Sequence, residues 1–191
     1  MPAQQQAVDV ACKPYKLYPT VYLDKAMERL TNEYSQLIKE VEKELSFFDI
    51  PTNDKCIVKY SEMPSLLGGQ FSLFLIKGNS NNLRLVYKIW DADYDYKRFS
   101  SGVYNLDRLC IKTHSIALSD NDQKKCEYLI NNIQVVPEKL ESEGFIVLDG
   151  TNYKLTIKSN YVDKEYKWKI PTNDVQVFTP LIDFLTTRIV D

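Results

Sequence analysis

The segment QFSLFLIK, residues 70–77, is the feature that most limits how this chain can fold, because it is apolar at nearly every position. A strand with one wet face alternates apolar and polar residues, whereas a continuous apolar run is typical of a strand buried on both faces. The turn-forming residues GNSNN follow it and lead into LRLVYKIW, residues 83–90. We therefore predict a β-hairpin whose first strand is central in a sheet and covered on both faces.

Helical and extended patterns surround this hairpin. Apolar residues recur at three- and four-residue steps from about Asp24 to Phe48, which predicts a long amphipathic helix with Asp24 as its N-cap. A second helix is expected after Ser119, with Cys126, Leu129, Ile130 and Ile133 on its apolar stripe. A third is expected near the C-terminus, with Pro180 in its first turn and Thr179 as its cap. Further strands are predicted at CIVKY (56–60), residues 108–118, FIVLDG (145–150), NYKLTIKS (152–159) and KEYKWKI (164–170).

This order of elements predicts an α+β fold. Short links between successive strands favour antiparallel pairing. We expect an antiparallel sheet of about six or seven strands, with a long N-terminal helix, a central helix and a C-terminal helix packed on one face of it. Residues 1–15 are expected to form a poorly ordered tail, and residues 16–191 a single α+β domain.

The pentapeptide IPTND occurs twice, at residues 50–54 and 170–174. Its flanking sequences share only apolar character, so a duplicated unit is disfavoured. Proline presets φ, and Asn and Asp side chains bond nearby backbone N–H groups, which makes the sequence a good chain-reversing link. We interpret the repeat as the same turn chemistry used twice.

Composition restricts the classes of partner. The 24 Lys and Arg residues against 26 Asp and Glu give a net charge of −2, which disfavours a nucleic-acid-binding function. No run approaches the ~18 apolar residues of a membrane span, and the N-terminus lacks the features of a signal peptide. A cytoplasmic location is therefore expected. The four widely spaced cysteines are interpreted as free, mostly buried thiols.

The sequence offers little machinery for catalysis. His114 is the sole histidine, and on a strand it would lie roughly 13 Å from Cys110, too far for a nucleophile and its base. Asp91, Asp93 and Asp95 alternate as in a calcium loop, but Tyr96 and Gly102 occupy the positions where such a loop needs Gly and Glu. Phosphate-binding glycine motifs are absent. We expect no catalytic residue, metal or cofactor, with an enzyme using loop carboxylates or a Cys/His114 pair kept as an alternative.

The segment WDADYDYKRF favours recognition of another protein. Tyr and Arg are enriched at interface hot spots because they bury a large area and still form hydrogen bonds at the tip. We interpret the segment as a loop and expect a non-catalytic protein-binding module of the inhibitor, immunity or adaptor type. The predicted partner-binding residues are Asp91, Asp93, Tyr94, Asp95, Tyr96 and Arg98.

Two further features bear on binding. In the C-terminal hairpin, Tyr153, Leu155, Ile157, Tyr166, Trp168 and Ile170 alternate onto one side, and Lys154, Lys158, Lys167 and Lys169 onto the other. A core side and a wet side explain this pattern most simply, since aromatic residues that could stack on bases lie away from the lysines. The many aromatic residues also allow a small-ligand-binding domain, with an apolar pocket between the long helix and the sheet.

Overall fold

The structure is a computed structural model that describes residues 20–64, 69–102, 105–133, 150–159, 163–169 and 173–189, with side chains from residue 32 onward. The chain divides into two compact units, Met1–Leu37 and Ile38–Asp191, with the boundary inside the first helix. The predicted tail, residues 1–15, lies outside the described residues, and the single domain over 16–191 stays a prediction.

The described helices are α1 Thr20–Ser46, α2 Ala92–Ser100, α3 Asp120–Asn132 and α4 Thr179–Thr186. The described strands are β1 Lys55–Pro64, β2 Phe71–Lys77, β3 Leu83–Trp90, β4 Ile111–Ala117, β5 Thr151–Lys158 and β6 Asp163–Trp168.

The six strands form one antiparallel sheet in the order β4-β3-β2-β1-β5-β6. This confirms the predicted α+β fold. The hairpin of β2 and β3 is present, and β2 is buried from Ser72 to Ile76 with a neighbouring strand on each side. The continuous apolar run thus becomes a central strand, as its composition predicts.

One face of the sheet packs on α3 and α4, and we call it the first face. Its core residues include Leu73 and Leu75 of β2 and Leu155 and Ile157 of β5. The helices contribute Cys126 and Ile130 from α3 and Leu181, Phe184 and Leu185 from α4. The aromatic residues Tyr60, Tyr153, Tyr166, Trp168 and Phe178 form a chain of ring contacts on this face.

The opposite face of the sheet, the second face, is covered differently. Phe74, Ile76 and Val86 form a smaller buried cluster there, against which Phe48 and Ile50 pack. The C-terminal part of α1 also contacts this face, because Lys88 of β3 donates to the carbonyl oxygen of Glu44. The expectation that the helices lie on one face is therefore wrong. Both sides of β2 are apolar, so each needs a covering layer.

The predicted helix caps are partly corrected. Ser119 caps α3 as expected, accepting from the backbone N–H of Asp122 at 3.2 Å. Asp24 is not an N-cap, because α1 already includes Thr20. Thr179 is the first residue of α4, whose N-cap is Phe178, without a side-chain hydrogen bond. Pro180 lies in the first turn as predicted, where its missing N–H costs nothing.

The first IPTND copy forms a turn, in which the Asp54 backbone N–H donates to the Pro51 carbonyl at 2.8 Å. In the second copy, Asn173 and Asp174 begin a 3-10 helix, Asn173–Val177, and the three residues before them lie outside the described residues. The two copies therefore differ locally at their shared Asn and Asp, which argues against a structural duplication.

Candidate functional site

The predicted partner segment is a helix, α2, rather than the expected loop. Asp91 is its N-cap, and its carboxylate accepts from the Tyr94 backbone N–H at 3.1 Å. The other carboxylate oxygen of Asp91 lies 2.7 Å from the ammonium of Lys112 on β4. The hydrogen bond to Lys112 and the bond from Tyr94 together lower the pKa of Asp91. The role of Asp91 as the N-cap of α2 therefore explains this residue without requiring a partner protein.

Asp95 is fully buried and organises this end of the sheet. Its Oδ2 accepts hydrogen bonds from the indole N–H of Trp90 and the backbone N–H of Cys110, both at 2.8 Å. Its Oδ1 lies 2.9 Å from the guanidinium of Arg98, which also donates to the Asn105 carbonyl at 3.0 Å. This network fixes α2 and the residues before β4 against the end of β3.

The remaining predicted residues differ in exposure. Tyr96 is half-buried, with its ring 5.7 Å from that of Trp90. Asp93 is exposed, and Tyr94 is 56% exposed on the same helix. Of the six predicted residues, Asp93 and Tyr94 are thus the two with side chains that face solvent. Partner binding at this surface stays a prediction.

The sole histidine and the described cysteines lie at different places in the fold, with His114 on β4, Cys56 on β1, Cys126 on α3 and Cys110 just before β4. His114 is exposed on the edge strand β4, where its ring lies 6.4 Å from that of Tyr87. Cys56, Cys110 and Cys126 are free thiols, and Cys126 is buried. Burial raises the pKa of Cys126 to about 12, and the charges of Glu127 and Asp122 add to the shift. A thiol in this environment is inert rather than nucleophilic.

A cavity of about 510 Å³ opens on the second face, between the residues that follow α1 and the strands β1, β2 and β5. This volume lies within the range of pockets that hold small organic ligands. Its lining residues are Ser46, Phe47, Phe48, Ile50, Lys55, Cys56, Lys59, Phe74, Thr156 and Lys158. None of these ten described residues is acidic, and all belong to the unit Ile38–Asp191.

The floor of the cavity changes from apolar to polar along one row of cross-strand neighbours. Phe74 of β2 pairs with Lys59 of β1, and Lys59 pairs with Thr156 of β5. The Phe48 ring lies 5.7 Å from that of Phe74 and extends the apolar end. Lys158 follows Thr156 by two residues and therefore lies on the same face at the polar end.

Lys59 is held at the centre of this floor. Its ammonium donates to the Ser46 carbonyl at 2.7 Å and lies 5.6 Å from the centre of the Phe74 ring. Burial lowers the pKa of Lys59, and the nearby charge of Lys154 lowers it further. An ammonium has three protons to donate, so the bond to Ser46 leaves two for another acceptor.

Five lysines of β1, β5 and β6 differ in their ion pairing. Lys154 and Lys167, which are direct cross-strand partners, both pair with Glu165, at 3.0 and 3.1 Å. By contrast, Lys55, Lys59 and Lys158 have no carboxylate within 4.0 Å among the described residues. These three lysines line the cavity, whereas the buried Lys88 on the same face donates to the backbone carbonyls of Glu44 and Phe47.

The chain matches no known protein-family model, and no curated protein resembles it in sequence. Within the described ranges, no helix combines the length and apolar character needed to cross a membrane. No three His, Cys, Asp or Glu side chains of the described residues are grouped so that they could hold a metal ion.

Proposed function

We propose that this protein binds a small, largely apolar molecule in the second-face cavity. The proposal is carried by one observation, a cavity of about 510 Å³ with Phe47, Phe48, Ile50 and Phe74 in its lining. Small-molecule sites are concave, mostly apolar and carry a few convergent polar groups. Lys59 and Thr156 supply such groups on the cavity floor. The small-ligand alternative drawn from the sequence is thus the function that the geometry supports best.

Phe47 offers a direct test because it is 66% exposed although it lines the cavity. Removing its ring should weaken ligand binding with little effect on folding. Tyr128 on α3 is exposed to the same 66% but belongs to the helix that packs on the first face. Tyr128→Ala is therefore a matched control for Phe47→Ala.

The experiment titrates the protein with an uncharged naphthylamine dye that fluoresces in apolar surroundings. We expect saturable one-to-one binding by the wild type and by Tyr128→Ala, and about 5- to 10-fold weaker binding by Phe47→Ala, the loss of one hot-spot aromatic contact. Absence of saturable binding would refute the proposal. Equal affinity of all three proteins would also refute it, since the dye would then bind elsewhere.

A second candidate, recognition of another protein by α2, is favoured by the exposure of Tyr94 beside Asp93. The six-residue surface expected from the sequence is then reduced to these two side chains. Asp91, Asp95 and Arg98 are engaged within the chain, and the Tyr96 ring packs on Trp90. Once a partner is identified by pull-down, Tyr94→Ala should weaken its binding and Tyr128→Ala should not. Unchanged affinity of Tyr94→Ala would remove α2 from the interface.

A further inference from the structure

We propose that the ligand of the second-face cavity is an amphipathic carboxylate, with its head group on Lys59, Thr156 and Lys158 and its apolar body over Phe74 and Phe48. This inference rests on the proposed function and specifies the chemical class of its ligand. Two observations support it: the order of side chains across the sheet, and the absence of Asp and Glu from the ten described lining residues.

The cross-strand row sets the orientation of the ligand. Phe74, Lys59 and Thr156 are successive partners on β2, β1 and β5. A molecule lying along this row meets an aromatic surface, then an ammonium, then a hydroxyl. A purely apolar ligand would desolvate the Thr156 hydroxyl and the two remaining ammonium protons of Lys59 without giving them a partner, which is costly. A ligand with one polar end avoids this cost.

The charges favour an anion at that polar end. Lys55, Lys59 and Lys158 all line the cavity, and the ten described lining residues include no carboxylate. Glu165, the cross-strand neighbour of Thr156 on β6, is occupied by Lys154 and Lys167 and so is not free to pair with Lys59. Electrostatic complementarity of this kind selects anionic ligands over neutral ligands of the same shape.

The environment of Lys59 supports the same conclusion. Its partners within the chain are the Ser46 carbonyl and the Phe74 ring, neither of which carries a full negative charge. Burial holds the pKa of Lys59 below its usual range, so the charges of Glu165 and Glu42 do not offset the desolvation of this ammonium. A bound carboxylate would supply a counter-charge and accept the two remaining ammonium protons.

The test compares two probes of equal chain length, dodecanoate and dodecanol, each as a competitor of the naphthylamine dye. We expect the wild type to bind dodecanoate at least about 10-fold more tightly than dodecanol, the effect of one charge-assisted hydrogen bond. This preference should fall at high salt, because Lys158 is exposed. In Lys158→Met the preference should decrease with dodecanol affinity unchanged, and in Lys59→Met the preference should also decrease.

Two further variants separate the loss of charge from the loss of structure. Lys59→Met also removes the hydrogen bond to Ser46, the last residue of α1. Lys158 forms no ion pair with the described residues, so Lys158→Met tests the charge alone. Lys164→Met is the matched control, because Lys164 is exposed on β6 and pairs with Ile157 of the first face. It should retain the preference of the wild type.

Cys56 provides a readout that is independent of the dye. It lines the cavity, whereas Cys110 lies beside Asp95 and outside the cavity lining. Saturating dodecanoate should slow alkylation of Cys56 and leave that of Cys110 unchanged, as measured by peptide mass spectrometry.

The outcomes separate the two proposals. Equal or tighter binding of dodecanol, with Cys56 protected by both probes, would overturn the carboxylate and leave the apolar cavity function standing. Failure of the dye, dodecanoate and dodecanol alike to bind would overturn both. A preference that Lys158→Met and Lys164→Met reduce equally would reflect net charge alone and would also overturn the assignment of the head group.

Discussion

The indole N–H of Trp90 donates a hydrogen bond of 2.8 Å to the buried carboxylate of Asp95, and this contact joins the end of β3 to α2. The same carboxylate oxygen accepts from the Cys110 backbone, and Arg98 balances its charge. A buried carboxylate with three such partners is a structural centre. Its loss leaves two buried N–H groups without an acceptor and the Arg98 guanidinium without its counter-charge.

We therefore expect Asp95→Ala to lower the free energy of unfolding by about 3–5 kcal/mol, the cost of breaking a buried ion pair. Asp93→Ala, on the same helix but exposed, should change it by less than about 0.5 kcal/mol. Urea denaturation followed by tryptophan fluorescence measures both, since Trp90 and Trp168 are buried. Equal stability of the two variants would show that the Asp95 network contributes little to folding.

The second prediction concerns the stabilising role of Lys88. It is 8% exposed, and its ammonium donates to the carbonyls of Glu44 and Phe47 at the end of α1. Terminal helix carbonyls need a donor or water, and cations are favoured there by the helix dipole. Lys88→Met should therefore destabilise the unit Ile38–Asp191 by about 1–3 kcal/mol at neutral pH. Lys97→Met, an exposed change on α2, is the control.

The same lysine predicts a dependence on pH. Burial lowers the pKa of Lys88 from its usual 10.5, although the charge of Glu44 acts in the other direction. In the window just below pH 10.5 the unfolded chain then binds more protons than the folded chain, so the stability contributed by this group rises with pH. The difference in unfolding free energy between wild type and Lys88→Met should accordingly grow as the pH rises toward about 10.5. A constant or shrinking difference would contradict the assigned direction.

Much of this fold is predictable from local pattern, and the reasons are physical. The apolar run of β2, the alternation in the C-terminal hairpin and the Ser119 cap each depend on nearby residues. The first and last are confirmed, and the alternation is confirmed as far as Trp168, since Ile170 lies outside the described residues. The expectation that the helices lie on one face is inconsistent with the apolar run of β2, which needs cover on both faces. Phe74 and Ile76 point away from Leu73 and Leu75, so a second layer was required.

The candidate site was harder to predict because it is assembled from distant segments. The Phe74–Lys59–Thr156 row joins three strands through register, which no local pattern specifies. The part of the sequence that could have indicated the site is Lys59 in CIVKY. This lysine shares a face with Lys154 and Lys158 once β1 pairs with β5. The interpretation of WDADYDYKRF as a loop failed for a related reason. Its helix begins with an Asp91 cap and is held by Asp95, whose partner Cys110 is 15 residues away.

Cys126 gives a prediction of chemical reactivity. Burial raises its pKa to about 12, so the folded chain holds this proton where the unfolded chain has lost it. Stability contributed by the thiol is full below about pH 9 and falls as the pH rises above it. Alkylation by iodoacetamide at about pH 8 should be much slower at Cys126 than at half-buried Cys110, and equal in urea. Comparable native rates would mean that α3 opens readily.

Tyr94 and Tyr96 lie two residues apart on α2 and provide the last prediction. The Tyr96 ring contacts Trp90 at 5.7 Å, whereas Tyr94 is 56% exposed. Tyr96→Ala should lower the free energy of unfolding by about 1–3 kcal/mol through lost packing, and Tyr94→Ala by less than about 0.5 kcal/mol. Paired urea denaturation curves would show the difference as a shift in midpoint with an unchanged slope. If Tyr94→Ala were as destabilising as Tyr96→Ala, the Tyr94 ring would be part of the packed structure, and its assignment as a surface for a partner would be lost.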